Sequence, residues 1–423
     1  MSDNAQRRTV HATSGALRAA NRARVVQVLR RSGWATRSEL THHTGLSRAT
    51  VSSVLGELAQ RGLIAQRRQA GDGGKGRPPA QVALDTSAGT AIAVDIGVRH
   101  VAVAVGDLSH SVLAERWVDV PHDHTAASGT RIVLRSIEEA VEQAGIDADE
   151  LVGAAVSIAA PVATDSGRLA VPGVLPGWNE STLADTVATR WGIPVVTEND
   201  ANLGALGEAV ARPPADGGDV LFVKVASRIG LGSARGTTIV RGRNGYAGEF
   251  GHVTARPGGE PCWCGRRGCL ELYAGGDGML RRLAGSGVAG SLAELVGNAH
   301  SSPAVRRVVD VGVAELARAL TDVVVVLDPA RVVLGGELTA LGDLLVDPIR
   351  RELDALPFGP PTELSVSPFG ERASLVGALT VVLTEPHRFA DRSQAAALRS
   401  APPPGPDPFR APLTRPALRG VPS

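Results

Sequence analysis

Between residue 16 and about residue 60, apolar and polar positions alternate with the period of an α-helix. Residues 16–31 predict one amphipathic helix, and the segment TRSE at residues 36–39 is a capping box that opens a second, short helix. Gly45 then supplies a tight turn, and Ser47 is an N-cap for a third helix. A glycine-rich segment follows that has the form of a hairpin tip returning on a strand. Three helices and a hairpin predict a winged helix-turn-helix.

After residue 85 the pattern changes to short, β-branched apolar runs such as TAIAVDIG, LVGAAVSIA and DVLFVKVA. Helical stretches such as GTRIVLRSIEEAVEQAG lie between these runs. Strands that alternate with helices are typical of an α/β fold. We therefore divide the chain into a winged helix-turn-helix domain (residues 15–85, the head) and an α/β domain (residues 86–385, the body). Residues 1–14 and the Pro- and Arg-rich residues 386–423 are expected to be disordered.

Composition agrees with a multidomain chain that works away from membranes. The chain has 423 residues, of which 43% are apolar, and this length is too great for one ordinary core. We find no run of 18 apolar residues, and the first ten residues lack the apolar core of a signal peptide. We therefore expect a cytoplasmic protein without a membrane partner.

Charge is distributed unevenly between the two ends of the chain. Residues 1–80 hold 14 Lys and Arg against 4 Asp and Glu, whereas the rest holds 30 against 39. A basic head on an acidic body indicates that only the head binds a polyanion such as DNA. The alternative is a small helical domain with a solvated basic face that binds protein.

The head offers polar side chains at the positions where a recognition helix meets bases. Side chains near the N-terminus of that helix reach base edges in the major groove, and an extended basic wing fits the minor groove. The residues that we expect to contact operator DNA are Ser47, Arg48, Thr50 and Ser52 in the third helix and Lys75 and Arg77 in the wing.

All three cysteines of the chain lie within eight positions, at Cys262, Cys264 and Cys269. With His252 they form the pattern His-x9-Cys-x-Cys-x4-Cys, and one imidazole with three thiolates suits tetrahedral zinc. Four protein ligands leave no position for a reactive water, so we expect a structural site. The alternatives are small core residues without a metal, or a redox role, which the absence of Cys-x-x-Cys disfavours.

Two carboxylates flank this cluster. Glu249 lies three residues before the histidine, and Glu271 lies two residues after the last cysteine. An ionised carboxylate accepts hydrogen bonds from neighbouring hydroxyl groups, so these side chains are candidates for sugar recognition. Two solvated surface glutamates remain the alternative.

These residues sit in motifs that resemble the ROK family of repressors and sugar kinases. GEFGH and CWCGRRGCLE resemble the family signature Glu-x-Gly-His and Cys-x-Cys-Gly-x-x-Gly-Cys-x-Glu. PVVTENDANLGALGEA resembles the segment with the family's sugar-binding Asn and catalytic Asp, here Asn199 and Asp200. TGLSRATVS and GKGRPP resemble its repressor branch, and the resemblance spans about residues 16–383.

The resemblance implies a winged helix-turn-helix fused to a two-lobed, actin-like sugar-kinase fold. The implied lobes are residues 86–199 and 200–385, with the last helix returning to the first lobe. It further implies a sugar in the cleft between the lobes and His252 as a zinc ligand that also faces the sugar. The implied sugar-binding residues are Asn199, Asp200, Glu249, His252 and Glu271.

The two phosphate-binding turns of the family's kinases are altered in this chain. The first reads Asp-x-Gly-Gly-Thr in those kinases, but here Val98 and Arg99 replace the second Gly and the Thr. The second reads Gly-Thr-Gly, but here Ser227 and Arg228 stand in the critical places. A side chain in place of glycine blocks close backbone approach to phosphate. We therefore expect no bound ATP and no catalysis, with Asp200, at the position of the kinase base, acting as a sugar ligand.

The sequence thus predicts a sugar-responsive transcriptional regulator, expected to be a repressor, that binds operator DNA as a homodimer or homotetramer. Structural zinc is the one expected cofactor. A bifunctional ATP-dependent sugar kinase and a regulator controlled by a partner protein are the alternatives.

Overall fold

A computed structural model of the chain describes residues 18, 21–22, 24–30, 32–60, 62–68, 80–85, 89–121, 124–171, 174–175, 178, 182–358 and 362–384. The head contains α1 (24–30), β1 (Ala35–Thr36), α2 (Arg37–Thr44), α3 (Arg48–Gln60), β2 (Ile64–Arg68) and β3 (Ala80–Leu84). Its three strands pair antiparallel in the order β1-β3-β2. The predicted winged helix-turn-helix is confirmed. The expected disordered ends and the wing tip with Lys75 and Arg77 lie outside the described residues.

Local signals in the head form as the sequence predicts. The Thr36 hydroxyl accepts a hydrogen bond from the Glu39 backbone N–H at 3.2 Å, and the Glu39 carboxylate accepts one from the Thr36 N–H at 2.7 Å. Gly45 ends α2 with φ 67°, in the left-handed region that favours glycine. The Ser47 hydroxyl accepts from the Thr50 N–H at 3.1 Å and caps α3.

The body contains two five-stranded sheets. The first has the order β6-β5-β4-β7-β8, in which β4, β5 and β6 pair antiparallel and β7 and β8 join in parallel. Its strands are β4 (Thr90–Ile96), β5 (His100–Asp107), β6 (Val112–Asp119), β7 (Leu151–Ile158) and β8 (Val195–Asn199). With α4 (Ala126–Ala144) and α5 (Leu183–Trp191) it forms the first lobe.

The second sheet has the order β11-β10-β9-β12-β13. Its strands are β9 (Val220–Val225), β10 (Ile229–Arg235), β11 (Thr238–Ile239), β12 (Arg331–Gly335) and β13 (Glu363–Val366). The second lobe adds α7 (Glu271–Ala274), α8 (Gly276–Leu283), α9 (Leu292–Asn298), α10 (Pro303–Leu327) and α11 (Asp343–Asp354). Short 3-10 turns occur at Ala148–Glu150, Phe250–His252, Glu337–Leu341 and Gly370–Arg372.

Two helices, α6 (Asp200–Ala211) and α12 (Ala373–Thr384), lie between the sheets. α12 packs on β4 and β7 of the first sheet, α6 packs on β9 and β10 of the second, and the two helices pack on each other. They approach so closely that a Cβ added to Gly377 would lie 1.8 Å from the Leu203 carbonyl oxygen. This contact requires glycine and ties the two lobes together through the helix pair.

The head is attached to the same helix pair. Val25 and Leu29 of α1 are buried in one hydrophobic cluster with Leu379 of α12. Gln27 donates from Nε2 to the Val210 carbonyl at the end of α6, at 3.0 Å. Arg30 donates to the carbonyls of Leu108, at 3.3 Å, and Leu383, at 3.2 Å. Among the described helices, none is sufficiently long and apolar to cross a membrane.

Candidate functional site

A cavity of 70 Å³ lies in the cleft between the two lobes. Its lining comes from the ends of β4, β7 and β8 on one side and from β9, β10 and the loop before α7 on the other. The five residues that the sequence predicts for sugar binding all line it, namely Asn199, Asp200, Glu249, His252 and Glu271. Residues that are up to 72 positions apart in the chain therefore meet in one place.

Asn199 and Asp200 stand where β8 ends and α6 begins. Asn199 caps α6, because its Oδ1 accepts from the N–H groups of Ala201, at 3.0 Å, and Asn202, at 3.1 Å. Its Nδ2 donates to the Ala160 carbonyl at 3.2 Å. These bonds fix the Asn199 side chain at the lining of the cleft.

Asp200 is paired with a lysine that the sequence analysis did not single out. Lys224 donates from Nζ to Asp200 Oδ2 at 2.8 Å, while Asp200 Oδ1 accepts from the Ala201 N–H at 2.8 Å. Burial by itself lowers the pKa of Lys224, but the charges of Asp200 and Asp95 outweigh it and raise that pKa well above its ordinary value. The signal that could have identified Lys224 is its position as the one charged residue inside the apolar run VLFVKVA.

Asp95 belongs to the same group of charged residues as Lys224 and Asp200, and it is fully buried. His100 Nε2 lies 2.9 Å from Asp95 Oδ2, and the Ser157 hydroxyl donates to Asp95 Oδ1. Burial by itself raises the pKa of Asp95. The Lys224 charge and the hydrogen bonds from His100 and Ser157 outweigh burial and lower this pKa from its ordinary value of 3.8 to about 2. The Asp95 carboxylate is therefore held ionised by its neighbours.

Glu249 and Glu271 face the cleft from the second lobe. Burial, followed by the charges of Asp200 and Glu271, raises the pKa of Glu249 to about 7. Trp263 donates from Nε1 to Glu271 Oε1 at 3.1 Å, and its ring lies edge-on to the His252 ring with centroids 4.8 Å apart. Trp263 is 47% exposed and was missed by sequence reasoning, although an exposed aromatic side chain between two cysteines signals a role beyond packing.

The predicted metal ligands His252, Cys262, Cys264 and Cys269 form one cluster, in which the ligand atoms all lie within 4.8 Å of one another. Cys262 Sγ lies 3.7 Å from His252 Nδ1, and Cys264 Sγ lies 3.6 Å from Cys269 Sγ. Tetrahedral zinc with Zn–S bonds of about 2.3 Å separates its sulfur ligands by about 3.8 Å, so this donor set fits zinc.

His252 connects this cluster to the cleft. Its Nδ1 faces the cysteines, whereas its Nε2 lies 3.9 Å from Glu249 Oε2. Arg266 holds the segment from outside, donating to the His252 carbonyl at 3.0 Å and to the Thr254 hydroxyl at 2.9 Å. One ring thus borders both the cysteines and the cleft.

Two arginines, Arg99 and Arg228, connect the lobes. Arg99 of the first lobe donates to Asp277 Oδ1 of the second lobe at 3.0 Å. Arg228 of the second lobe donates to the Val174 carbonyl of the first lobe at 3.1 Å. Both arginines also line the cleft, so their side chains occupy part of its volume.

In the head, Ser47, Arg48 and Ser52 are exposed, and Thr50 is half-buried with its hydroxyl 2.9 Å from that of Ser47. These four side chains share the N-terminal part of α3. Lys75 and Arg77 lie outside the described residues.

Comparison with protein-family models matches residues 91–385 to the ROK family and residues 19–73 to the MarR family. The chain is 25% identical over 363 residues to a xylose repressor of Bacillus spizizenii, covering 82% of this chain and 91% of the relative. It is 32% identical over 316 residues to a glucokinase of Streptomyces coelicolor, covering 69% of this chain and 96% of that relative.

Among solved structures, a ROK family transcriptional regulator described as a homologue of the Escherichia coli MLC protein superposes with a TM-score of 0.68. It covers 90% of this chain and 99% of that one at 20% identity, so the likeness concerns the fold. The family match covers well over half of the chain, and the cleft and cysteine cluster carry the motifs on which the resemblance was drawn. The chain belongs to the ROK family.

Proposed function

We propose that this protein is a sugar-responsive transcriptional repressor that binds operator DNA through its winged head. The observation that carries the proposal is the convergence of Asn199, Asp200, Glu249, His252 and Glu271 on one cleft in a chain that also bears the head. Similarity to xylose repressors over both parts of the chain supports it.

In the proposed complex a monosaccharide or a sugar derivative lies in the cleft. Ionised carboxylates accept hydrogen bonds from adjacent hydroxyl groups, and the Asn199 amide, whose Oδ1 already accepts from two backbone N–H groups, can donate from Nδ2. Glu249, with a pKa of about 7, is present in both protonation states near neutral pH, so it can donate to a sugar oxygen as well as accept. Trp263 offers an apolar face beside these groups.

Two features favour a binding site over a kinase. Both carboxylate oxygens of Asp200 already accept hydrogen bonds, one of them from the Lys224 ammonium, so Asp200 is poorly placed to remove a proton. Arg99 and Arg228 line the cleft at the positions that we expect to correspond to a kinase's phosphate-binding turns. A sugar kinase remains the second candidate, because glucokinases are among the relatives.

We propose a structural zinc ion for the cluster of His252, Cys262, Cys264 and Cys269. Bound zinc would fix the segment that carries Glu249 and Glu271, and misplaced groups lose much of their value for binding. Cys264→Ser should therefore lose zinc and sugar binding together, while the head retains operator binding.

The measurements are metal analysis, circular dichroism and sugar calorimetry on wild type and Cys264→Ser, with the exposed Ser301→Ala as a control. A variant that lacks zinc and still binds sugar normally contradicts the link. A variant that unfolds throughout indicates that zinc supports general stability.

For operator binding we propose base contacts from Ser47, Arg48, Thr50 and Ser52 and minor-groove contacts from Lys75 and Arg77. Two heads in a homodimer or homotetramer would bind two half-sites, whose spacing depends on the distance between the heads. A sugar that prefers one arrangement of the lobes would change that distance.

α6 offers a direct path for this coupling. It begins at Asp200 in the cleft and ends beside Val210, whose carbonyl accepts the hydrogen bond from Gln27 of the head. Twelve residues of helix span about 18 Å, so a shift at one end of this rigid element is felt at the other.

The test of the proposed function is calorimetry with D-xylose and D-glucose, with ATP consumption measured in the same samples. Wild type should bind one of these sugars without consuming ATP. Glu271→Gln removes one charged acceptor and should weaken binding at least about tenfold, because hydrogen bonds to charged groups contribute about 1.5–3 kcal/mol. The exposed Glu294→Gln is the matched control and should bind as wild type. Sugar-dependent ATP consumption would replace the proposal with the kinase.

A further inference from the structure

A second cavity, of 650 Å³, lies between the head and the body and is far larger than the cleft cavity of 70 Å³. Its walls come from α1, the turn between β5 and β6, the end of α6, α12 and the loop before α12. Nothing in the proposed sugar response uses this space. Its volume lies in the range of small-molecule sites in proteins, roughly 300–1,000 Å³.

Most of the wall is apolar. One face of the cavity comes from α12, through Leu375, Val376 and Leu379. Two further apolar faces come from Val210 and Phe369. A cavity of this size and polarity suits an organic molecule with an apolar body, since burial of apolar surface is the main source of affinity.

Among the polar side chains of the wall, two are cationic, and one holds a nitrogen without a hydrogen-bond partner among the described residues. His110 adopts a left-handed backbone with φ 67°, and its buried Nε2 has no hydrogen-bond partner among the described residues. Buried polar atoms are nearly always paired, and strained non-glycine residues cluster at ligand sites. An unpaired ring nitrogen at this wall is therefore best explained by a ligand atom.

Two arginines line the same cavity. Arg372 pairs with Glu115 at 2.9 Å and remains largely exposed. Arg30 uses Nε and Nη2 for its two carbonyl contacts, and burial lowers its pKa to about 9, with Asp107 acting in the opposite direction. A guanidinium that has lost its water gains from an anion. Together the arginines outnumber the carboxylate among the lining residues.

We propose that this junction cavity binds a small monocarboxylic acid with an apolar body. The carboxylate meets Arg30, Arg372 and His110, and the apolar body lies against α12.

Such a ligand touches both moving parts of the molecule. It contacts Gln27 and Arg30 of the head together with α6 and α12 of the body. An acid that prefers one head position shifts the population toward it, and so changes operator affinity without entering the sugar cleft. This consequence rests on the proposed function, whereas binding of the acid does not.

The test is calorimetry on the full chain with phenylacetate and hexanoate, compared with the neutral phenylacetamide and hexanamide. At least one acid should bind saturably, and its amide should bind at least tenfold more weakly. Val376→Trp fills the cavity and should weaken binding of the acid at least tenfold. Val326→Trp, at a 79% exposed site on α10, is the matched control and should leave binding unchanged.

His110→Asn provides an independent variant, because asparagine tolerates the left-handed backbone but cannot place a ring nitrogen at this wall. It should weaken acid binding severalfold and leave the sugar heat of binding intact. The proposal is overturned if neither acid binds, if the amides bind as well as the acids, or if binding survives in both Val376→Trp and His110→Asn. Sugar binding that persists in such a case would leave the repressor proposal standing.

Discussion

The two ends of α6 differ in how completely their surroundings are filled. At its first turn, Asn199 and Asp200 have their side-chain oxygens bonded to backbone N–H groups and to Lys224, beside a cavity of 70 Å³. At its last turn, Val210 and Ala211 border a cavity of 650 Å³, and its wall includes His110, whose Nε2 has no hydrogen-bond partner in the described part of the chain. The same helix therefore connects a closely organised cleft to a loosely filled junction.

This contrast matches the work proposed for each end. A site that must recognise one sugar gains from side chains that are already fixed in place. A joint that must allow the head to change position needs few contacts that resist the change. Three hydrogen bonds from Gln27 and Arg30, with part of one apolar cluster, hold the described head to the body.

The largest effect on stability is expected at the cleft end. Lys224→Met leaves the Asp200 and Asp95 carboxylates without their shared cation, and removing one partner of a buried pair costs about 3–5 kcal/mol. Urea unfolding measures the loss. The pair of the exposed Arg235 with the half-buried Asp219 gives the control, because an ion pair at the surface contributes little and Arg235→Met should cost clearly less than Lys224→Met. Equal losses in the two variants would mean that the buried Lys224 pair stabilises the protein no more than the surface pair does.

The second effect concerns the close contact of α6 and α12. Gly377→Ala should cost about 3 kcal/mol, since the new Cβ would lie 1.8 Å from the Leu203 carbonyl oxygen and the helices would have to separate. Gly297→Ala in α9 is the matched control, because a Cβ there meets nothing within 4 Å. If the two variants unfold at the same urea concentration, the helices are less closely packed than the structure shows.

Acid should lower the free energy of unfolding through Asp95, at the cleft end of α6. The pKa of Asp95 is about 2, below its ordinary value of 3.8, so the unfolded chain takes up this proton first. Its contribution of about 2 kcal/mol is fully present above about pH 5 and is lost progressively as the pH falls through 3.8 and then through the folded pKa of about 2. Urea unfolding at pH 5 and pH 3 measures it, and Asp95→Asn should show a shallower decline over that interval. An identical decline in wild type and Asp95→Asn would assign the acid sensitivity to other groups.

The smallest effect on stability is expected at the head end. Gln27→Leu removes the hydrogen bond to the Val210 carbonyl and should cost about 1 kcal/mol. Hydrogen exchange in α1 should rise, while exchange in α6 near the cleft stays as in wild type. The exposed Gln60→Leu serves as the control for a change of side chain alone. Faster exchange along the whole of α6 would show that its two ends are not held independently.

Sequence predicted those features that depend on a few neighbouring residues. The capping box at Thr36 and Glu39, the turn at Gly45 and the cap at Ser47 are local, and all formed as predicted. The meeting of His252 with the three cysteines was predictable for the same reason, since the cysteines lie within eight positions.

Features that depend on strand register were harder to predict. Lys224 reaches Asp200 only because β9 lies beside the start of α6, a proximity that no spacing in the chain reveals. Trp263 meets Glu271 through a turn of the cysteine loop, and the junction cavity arises from four separated segments. A cavity forms where packed elements leave space unfilled, and a pattern of apolar residues along the chain does not predict where this happens.

The central claim is that a sugar in the cleft controls operator binding without a nucleotide. The most direct measurement is the affinity for an operator selected from random-sequence DNA, titrated with the sugar that binds by calorimetry, in buffer free of nucleotide and again with Mg-ATP. The account predicts that the sugar lowers operator affinity at least tenfold and that ATP leaves this change unaltered. An operator affinity that the sugar does not change, or that changes only when ATP is present, would contradict it.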